Sequence, residues 1–523
     1  MSKEKFISEI TEGYTFEGPQ FTLGGAMHDG ECQTNCLVNL PLRTMNRHGL
    51  IAGATGAGKT KTLQIIAEQL SGQGVPVLMM DIKGDLSGIA AASAGHPKID
   101  ERHEKIGIPF TAGNSPIEFL TLSGEKGARL RATVSEFGPV LFSKILDLND
   151  TQSGIVSVIF KYCDDKKLPL LDLKDMKETL KFVMDAGKAE FEEDYGKISS
   201  SSVGTITRKI IELEQQGADL FFGEKSFDVE DLLRHDKDGK GMVSVVRLTD
   251  IQDKPKLFST FMLQMLAEIY ATLPEQGDAD KPRLVMFIDE AHLVFNEASD
   301  ALSDQLEAVV KLIRSKGVGI FFVTQNPDDI PDSVLGQLGM KVQHALRAFT
   351  AKDRKAIKLA AQNYPISDYY NTEELLTSLG IGEAFVTVLN EKGIPTPLVH
   401  CLLRAPQSRM DVLTDSEIDA VTAASEIIEK YNEEIDRESA YEILKEKIEE
   451  SQKAENQAEI DKEREKAEKV TSSSRSSGSS TRMSTFQKVA NQIGRTASRE
   501  LTRGLLGALG IKSTRRRRSN KWF

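Results

Sequence analysis

The 523-residue sequence is poor in cysteine and tryptophan and contains no long apolar run. Its four scattered cysteines cannot form a disulfide framework, which agrees with a reducing compartment. His28, Cys32 and Cys36 are evenly spaced but lack a nearby fourth metal ligand, so we interpret the cysteines as unligated thiols. No stretch approaches the roughly 18 apolar residues of a membrane-spanning helix, and the amino terminus lacks the apolar core of a signal peptide. We therefore expect a cytoplasmic protein without a transmembrane segment.

Charge is unevenly distributed along a chain of otherwise ordinary composition. Hydrophobic residues make up 40% and charged residues 28%, as in soluble globular proteins, and the length suffices for two or three domains. The net charge is −12, yet Thr481 to Phe523 carries eleven Lys or Arg against one acid, which leaves −22 for residues 1–480. This asymmetry predicts that the tail contacts nucleic acid or an acidic membrane surface. The alternative is a disordered tail that only aids solubility.

A glycine-rich segment has the pattern of a phosphate-binding loop. Residues 53–60 read Gly-Ala-Thr-Gly-Ala-Gly-Lys-Thr, between a short apolar strand and a segment with helical spacing of apolar residues. Glycines let backbone N–H groups turn toward a phosphate, and the following helix presents its positive end to the same anion. The predicted nucleotide-binding residues are Gly53, Ala54, Thr55, Gly56, Ala57, Gly58, Lys59, Thr60 and Lys61. Lys59 is expected to contact the β and γ phosphates of a nucleoside triphosphate such as ATP.

An acidic pair follows a second apolar strand. Asp289 ends the run that begins at Leu284, and Glu290 comes next. The Thr60 hydroxyl and Asp289 are the predicted ligands of Mg²⁺, and Glu290 is placed to polarise the attacking water. Together with the loop, this pair predicts a nucleoside triphosphatase that uses ATP and Mg²⁺.

A dinucleotide-binding fold is the principal alternative at this level. The segment Gly53 to Gly58 also resembles a glycine-rich NAD(P) turn, and Asp81 ends the next predicted strand, where a ribose-binding acid belongs. Tyr162 and Lys166 have the spacing of a short-chain dehydrogenase pair. This interpretation leaves Lys59 and the acidic pair unexplained.

The pattern of apolar runs predicts an α/β fold with a mostly parallel sheet. Most of the runs are short and bounded by Gly, Pro or Asp, as expected of strands covered on both faces. The predicted strands are His48–Ala52, Pro76–Asp81, Ile117–Leu122, Met242–Thr249, Leu284–Asp289, Val318–Thr324, Val342–Arg347, Glu383–Leu389 and Leu398–Arg404.

Changes in composition divide the chain into six predicted segments. These are a short strand segment at 1–47, the first part of the ATPase core at 48–126, an inserted helical subdomain at 127–236, the second part of the core at 237–414, a charged helical extension at 415–470, and a Ser-rich linker with a basic amphipathic tail at 471–523.

Four motifs in this order resemble HerA-type ATPases of the HerA/FtsK superfamily, and most closely its YjgR-like branch. The motifs are Asn46 to Thr60, Asp81-Ile-Lys-Gly-Asp85, Phe287-Ile-Asp-Glu-Ala-His292 and Thr324-Gln-Asn-Pro327, and the resemblance covers about residues 20–410. It implies a RecA-like core, a ring hexamer with ATP sites between subunits and, for the better-known members, translocation along duplex DNA. One departure is that HerA proper begins with a β-barrel domain, which 47 residues cannot build.

The resemblance also assigns two further residues. Gln325 matches the polar sensor of the γ-phosphate or the water, and Arg314 matches the arginine that such rings insert into a neighbour's site, where it offsets charge on the transferred phosphoryl group. The other candidates for this arginine are Arg347, Arg354 and Arg404.

Three functions remain open from the sequence. The leading hypothesis is a homohexameric DNA translocase or helicase, which is what the family resemblance implies. The alternatives are a motor that remodels or secretes protein and a regulatory ATPase that switches partner binding. Each would use the same loop, acidic pair and sensor.

Overall fold

The computed structural model describes residues 2–473 except Asp278, residues 296–299, Phe349, Glu434 and Asp436. The predicted basic tail from Thr481 lies outside the described residues. The chain divides into two compact units after Ile448, and the sheet lies in the first unit. Among the described residues, no helix has the length and apolar character needed to cross a membrane.

Twelve strands of the described chain form one sheet. The strands are β1 Gln20–His28, β2 Glu31–Pro41, β3 Gly49–Ala52, β4 Val77–Asp81, β5 Ile117–Thr121, β6 Ala128–Arg129, β7 Val243–Arg247, β8 Leu284–Ile288, β9 Val318–Thr324, β10 Met340–Gln343, β11 Glu383–Thr387 and β12 Val399–Leu403. Their order is β2-β1-β12-β11-β10-β3-β9-β8-β4-β7-β5-β6. Strands β10 through β6 in this order pair in parallel, and the β2 end of the sheet is antiparallel. The predicted α/β class with a mostly parallel sheet is confirmed.

The described residues also contain helices, several of them in the segment between β6 and β7. They are α1 Lys3–Gly13, α2 Lys59–Gly72, α3 Pro97–Ile106, α4 Val134–Ile145, α5 Asp150–Lys166, α6 Leu173–Phe182, α7 Lys188–Tyr195, α8 Ser200–Gln215, α9 Pro255–Thr272, α10 His292–Phe295, α11 Asp300–Ile313, α12 Asp332–Leu335, α13 Ala351–Gln362, α14 Thr372–Ser378, α15 Asp415–Ala423, α16 Ile428–Asn432 and α17 Ala440–Ser473.

Two large apolar cores, one on each face of the sheet, explain why the strands are continuous apolar runs in the sequence. Alternate residues of β4 point to opposite faces: Leu78 and Met80 pack with the inserted helices α4–α8 and with α9, whereas Val77 and Met79 pack with α1 and α2. The inserted helices therefore share their core with one face of the sheet. Burial on both faces removes the polar alternation that marks a half-exposed strand.

The segment 1–47 contains the helix α1 and the strands β1 and β2, and β1 pairs with β12 of the sheet. One part of the sheet differs from the sequence prediction. The predicted strand Val342–Arg347 is wrong in its bounds, because β10 runs from Met340 to Gln343. The following residues leave the sheet: the carbonyl of Ala345 accepts a hydrogen bond from the amide of Ala54.

Candidate active site

The phosphate-binding loop, the acidic pair and Gln325 each follow a parallel strand at its carboxyl end. Strands β3 and β4 follow one another in the chain but are separated in the sheet by β9 and β8. The loop after β3 and the acidic pair after β8 therefore come together across β9. A crevice outside the carboxyl ends of parallel strands is the usual ligand site of such sheets.

This strand order also excludes the dinucleotide interpretation. In a dinucleotide-binding fold the first two strands are neighbours, which places the acid of the second strand beside the ribose. Here two strands intervene, and the Asp81 carboxylate is buried and accepts hydrogen bonds from the amides of its own loop. Tyr162 is buried in the helical segment, on α5 with Lys166.

The phosphate-binding loop leaves β3 through a glycine that no other residue can replace without strain. Gly53 has a φ of 153°, and a Cβ built on it would lie 2.5 Å from the Cβ of His344. Gly56 and Gly58 also have positive φ values, 77° and 117°. These conformations turn the loop over the start of α2, where free N–H groups are available to an anion.

His344 supports this loop from β10, and sequence reasoning missed it. Its Nδ1 lies 2.9 Å from the Glu383 carbonyl, and its Nε2 lies 2.8 Å from the Thr62 hydroxyl. A carbonyl oxygen can only accept a hydrogen bond, so Nδ1 carries the ring proton and donates to Glu383. In the neutral ring, Nε2 then accepts a hydrogen bond from the Thr62 hydroxyl. Burial lowers the pKa of His344 to about 4, which keeps the ring neutral. The sequence prediction placed His344 inside the strand Val342–Arg347, so no local pattern marked it as a neighbour of the loop.

The lysine and threonine that end the loop point into the crevice. The Lys59 ammonium donates to the carbonyls of Gly53 at 2.7 Å and Ala54 at 3.2 Å. Burial, followed by the charge of Lys83, lowers the pKa of Lys59 below its ordinary value. The Thr60 hydroxyl donates to Asp85 Oδ2 at 3.2 Å. Both side chains thus lie where a triphosphate and its metal are expected.

The acidic pair is buried beside the loop. Burial is the main cause that raises the pKa of Asp289 to about 6, and the Lys83 charge opposes this rise. Glu290 has a φ of 47°, a conformation that non-glycine residues rarely adopt and that recurs at functional sites. Its carboxylate forms an ion pair with Lys83 and lies 3.1 Å from the ring Nδ1 of His292.

The loop after β4 supplies two side chains that sequence reasoning quoted in a motif but gave no role. The carboxylate of Asp81 accepts the amides of Gly84 at 2.7 Å, Asp85 at 3.1 Å and Leu86 at 3.2 Å. These bonds fold the loop so that Lys83 reaches Glu290 and Asp85 reaches Thr60. The motif therefore links β4 to both the loop and the acidic pair.

The residues present suit Mg²⁺. Asp85 Oδ1 is buried and has no hydrogen-bond partner among the described residues, although its other oxygen accepts from Thr60. Such an oxygen carries a desolvation cost that a cation relieves. Together with Thr60 and Asp289 it forms the hard oxygen set that Mg²⁺ prefers. Bound there, the ion would neutralise charge on the phosphates.

Replacing Asp85 by asparagine should raise the Mg²⁺ concentration needed for half-maximal ATP turnover by roughly 10- to 100-fold, as the loss of a supporting ligand typically does. The measurement is a Mg²⁺ titration at saturating ATP. Asp147→Asn is the control, because Asp147 is exposed in the helical segment. An unchanged Mg²⁺ requirement in Asp85→Asn would show that Asp85 takes no part in metal binding.

Gln325 and Lys61 occupy different surroundings. Gln325 follows β9, and its Oε1 lies 3.5 Å from the Thr55 hydroxyl of the loop. Lys61 lies in the first turn of α2, but its ammonium donates to the carbonyl of Met410. Its backbone remains beside the loop, whereas its charge is directed away from the phosphate position.

The four candidate arginines lie in different places. Arg314 is exposed at the amino end of β9, close enough to His48 to add to the burial that lowers the pKa of that histidine to about 4. Arg314 thus lies at the edge of the sheet opposite the phosphate-binding loop of the same subunit. Arg347 and Arg354 are exposed after β10. Arg404 is partly buried, and its guanidinium lies near Gln69 Oε1 at 3.4 Å.

A glycine-rich loop after the first parallel strand and an acidic pair two strands away define a P-loop nucleoside triphosphatase with a RecA-like core. The family described as "Helicase HerA-like C-terminal" matches residues 27–516, and the chain belongs to this family.

Two curated relatives are named DNA double-strand break repair helicase HerA. The protein of Saccharolobus solfataricus is 22% identical over 363 residues, which cover 67% of this chain and 64% of that protein. The protein of Sulfurisphaera tokodaii is 22% identical over 360 residues, with coverages of 67% and 64%. The chain therefore spans less than two thirds of the length of these relatives.

A solved structure supports the fold. Plasmid coupling protein TrwB in complex with the non-hydrolysable ATP analogue ADPNP aligns with a TM-score of 0.51 and 14% identity, over 79% of this chain and 95% of that chain. At this identity the likeness concerns the fold alone.

Proposed function

We propose that this protein is a Mg²⁺-dependent ATPase that works as a homohexameric ring motor on duplex DNA. The observation that carries the ATPase proposal is the meeting of Lys59, Thr60, Asp289 and Glu290 at one edge of the sheet. Family membership supports the DNA assignment, because the two relatives described above are named as DNA repair helicases.

The side chains have separate tasks in this proposal. Loop amides and Lys59 hold the phosphates and draw charge toward the β–γ bridge. Glu290, whose carboxylate forms the ion pair with Lys83, is placed to accept a proton from the attacking water. Gln325, next to Thr55, is placed to sense the γ-phosphate.

Duplex DNA should raise ATP turnover several-fold, because DNA in the ring orders the loops that couple neighbouring sites. Longer duplexes should stimulate more than short ones, without sequence preference. Affinity should fall steeply with added salt, since binding through phosphates releases counterions. The measurement is steady-state ATPase rate against duplex length and salt, with single-stranded DNA for comparison.

The outcome separates the remaining candidates. A translocase should also displace a tightly bound protein from DNA only when ATP is hydrolysed. Hexamers whose turnover is indifferent to duplex and single-stranded DNA at low salt would contradict the DNA motor and favour protein remodelling or a regulatory switch. The comparison of ATPase rates with and without DNA is needed because residues 1–480 carry a net charge of −22, which disfavours DNA binding over most of the surface.

The position of Arg314 leads to a test of the ring. Because it lies at the edge opposite its own loop, we propose that it completes the site of a neighbour. Subunits with Arg314→Ala and subunits with Glu290→Gln should each be inactive alone, whereas mixed rings should regain part of the activity, since some interfaces contain both intact residues. The measurement is ATPase rate across mixing ratios. Absence of rescue in rings shown to be mixed would point to Arg347, Arg354 or Arg404, or to a site that is complete within one subunit.

A further inference from the structure

The turn after β9 carries the predicted sensor, Gln325. Its side chain is exposed, and its Oε1 lies 3.5 Å from the Thr55 hydroxyl of the loop. An exposed side chain is packed by few neighbours, so its position depends mainly on the backbone that carries it. The contacts that fix residues 324–326 therefore also fix the sensor.

The end of β9 joins the two halves of the site. The carbonyl of Val323 accepts the amide of Ala291, which follows the acidic pair, at 3.0 Å. The carbonyl of Thr324 accepts the amide of Gly53, the first glycine of the loop, at 3.2 Å. The backbone of β9 is thus tied to the acidic pair on one side and to the loop on the other, and Gln325 is the next residue along the chain.

Asp329 closes the turn that carries Gln325. Its Oδ2 accepts hydrogen bonds from the Thr324 hydroxyl and, at 3.2 Å, from the Asn326 amide, so one carboxylate oxygen holds both neighbours of the sensor. The Asp329 amide donates in return to the Asn326 carbonyl at 3.1 Å. Thr324 is buried, and Ile330, which follows Asp329, is buried in the core that the sheet shares with the inserted helices. The turn is therefore anchored at both ends.

Local helix capping accounts for only part of this arrangement. Pro327–Asp329 forms a single 3₁₀ turn, and an acidic side chain at the third residue of a helix commonly accepts the amide of the residue before it. Capping does not require the second bond, from the Thr324 hydroxyl, which spans Gln325. Hydrogen bonds to a carboxylate are stronger than those between neutral groups. The charge of Asp329 thus resists displacement of the two residues that flank the sensor.

We propose that Asp329 is a positioning residue for hydrolysis, because its carboxylate holds Gln325 where the side-chain amide meets the γ-phosphate or the attacking water. The inference rests on the proposed function. Asp329 does not contact the nucleotide in this scheme, so its effect passes through Gln325. Because ADP lacks the γ-phosphate, Asp329 should matter for turnover of ATP and not for binding of ADP.

The first test separates positioning of the sensor from general support of the loop. Asp329→Ala should lower kcat by roughly 10- to 100-fold, because misplacing a group at the reacting centre by about 1 Å can cost this much. ADP affinity, measured by calorimetry with Mg²⁺, should stay at the wild-type value. Asp329→Asn keeps one acceptor oxygen and should recover part of the rate. Asp328→Ala, at the exposed neighbouring position, is the matched control and should leave kcat unchanged.

Two results of this test overturn the proposal. Weakened ADP binding in Asp329→Ala would show that the residue supports the loop itself, and an unchanged kcat would remove it from hydrolysis. A wild-type protein without ATPase activity would overturn the proposed function and this inference with it.

A double-mutant cycle tests whether Asp329 acts through Gln325. Gln325→Ala should lower kcat, and adding Asp329→Ala to it should lower kcat no further, since the side chain being positioned is already gone. If the two losses multiply instead, or if Gln325→Ala keeps its full rate, Asp329 does not act through the sensor.

A second variant covers the possibility that Asp329→Ala fails to fold. Thr324→Val removes the hydroxyl that donates to Asp329 and keeps the shape of this buried side chain. It should give the same combination of lowered kcat and unchanged ADP affinity. A normal kcat in Thr324→Val would contradict the assignment.

Discussion

Glu290→Gln should lower ATP turnover by about 10² to 10⁴-fold, the usual contribution of a general base, while ATP remains bound. Glutamine keeps the shape of the side chain and loses its capacity to accept the proton of the attacking water. The measurement pairs single-turnover hydrolysis with ATP binding by calorimetry. Because the Lys83 ion pair is also lost, Glu290→Gln leaves a cation beside the site, which favours retention of the nucleotide.

The control for Glu290→Gln is a substitution of another buried glutamate, which lies on a strand of the sheet. Glu118 lies on β5 and forms an ion pair with Arg234 at 2.8 Å. Glu118→Gln removes a comparable buried charge far from the loop, so it should reduce stability and leave turnover per folded molecule unchanged. If Glu290→Gln loses ATP binding as well, Glu290 holds the nucleotide and another group must polarise the water.

Lys59→Ala should fail at ATP binding, the step before hydrolysis. Removing one partner of a buried charged contact costs about 2–5 kcal/mol, which corresponds to a roughly 30- to 5,000-fold loss of affinity. The loss should appear in binding of ATP and of tripolyphosphate alike, because Lys59 contacts phosphates. Turnover should fall to background at ordinary ATP concentrations.

The control for Lys59 is another lysine whose ammonium donates to a backbone carbonyl. Lys341 on β10 is partly buried and its ammonium donates to the carbonyl of Asn363 at 3.2 Å, as that of Lys59 donates to Gly53. Lys341→Ala should leave ATP affinity unchanged. Normal ATP binding in Lys59→Ala would place the phosphates elsewhere and would remove the basis of the proposed function.

The strands illustrate where sequence patterns suffice and where they do not. Eight of the nine predicted strands agree with β3–β5, β7–β9, β11 and β12 to within two residues at each end, because burial on both faces makes each one a short apolar run. The ninth, Val342–Arg347, was extended too far, because Ala345 and Leu346 are apolar and buried outside the sheet. Apolar burial alone does not distinguish a strand from a buried loop.

The candidate site shows the same division. The loop from Gly53 to Thr60 and the pair Asp289 and Glu290 follow from sequence, since each is a local pattern whose chemistry depends on adjacent residues. Lys83, Asp85 and His344 do not, because their roles depend on which strands are neighbours. Asp85 meets Thr60 only through the loop that Asp81 folds, and His344 meets the loop because β10 pairs with β3.

The sequence by itself determined the phosphate-binding loop, the acidic pair, the α/β class and the family resemblance. All of these depend on residue types at short spacing, where backbone geometry is set locally. Only the tertiary structure decided the strand order that excludes a dinucleotide site and the Lys83–Glu290 ion pair. These features join residues that lie tens to hundreds of positions apart, and such contacts arise from the packing of the whole sheet rather than from any local pattern.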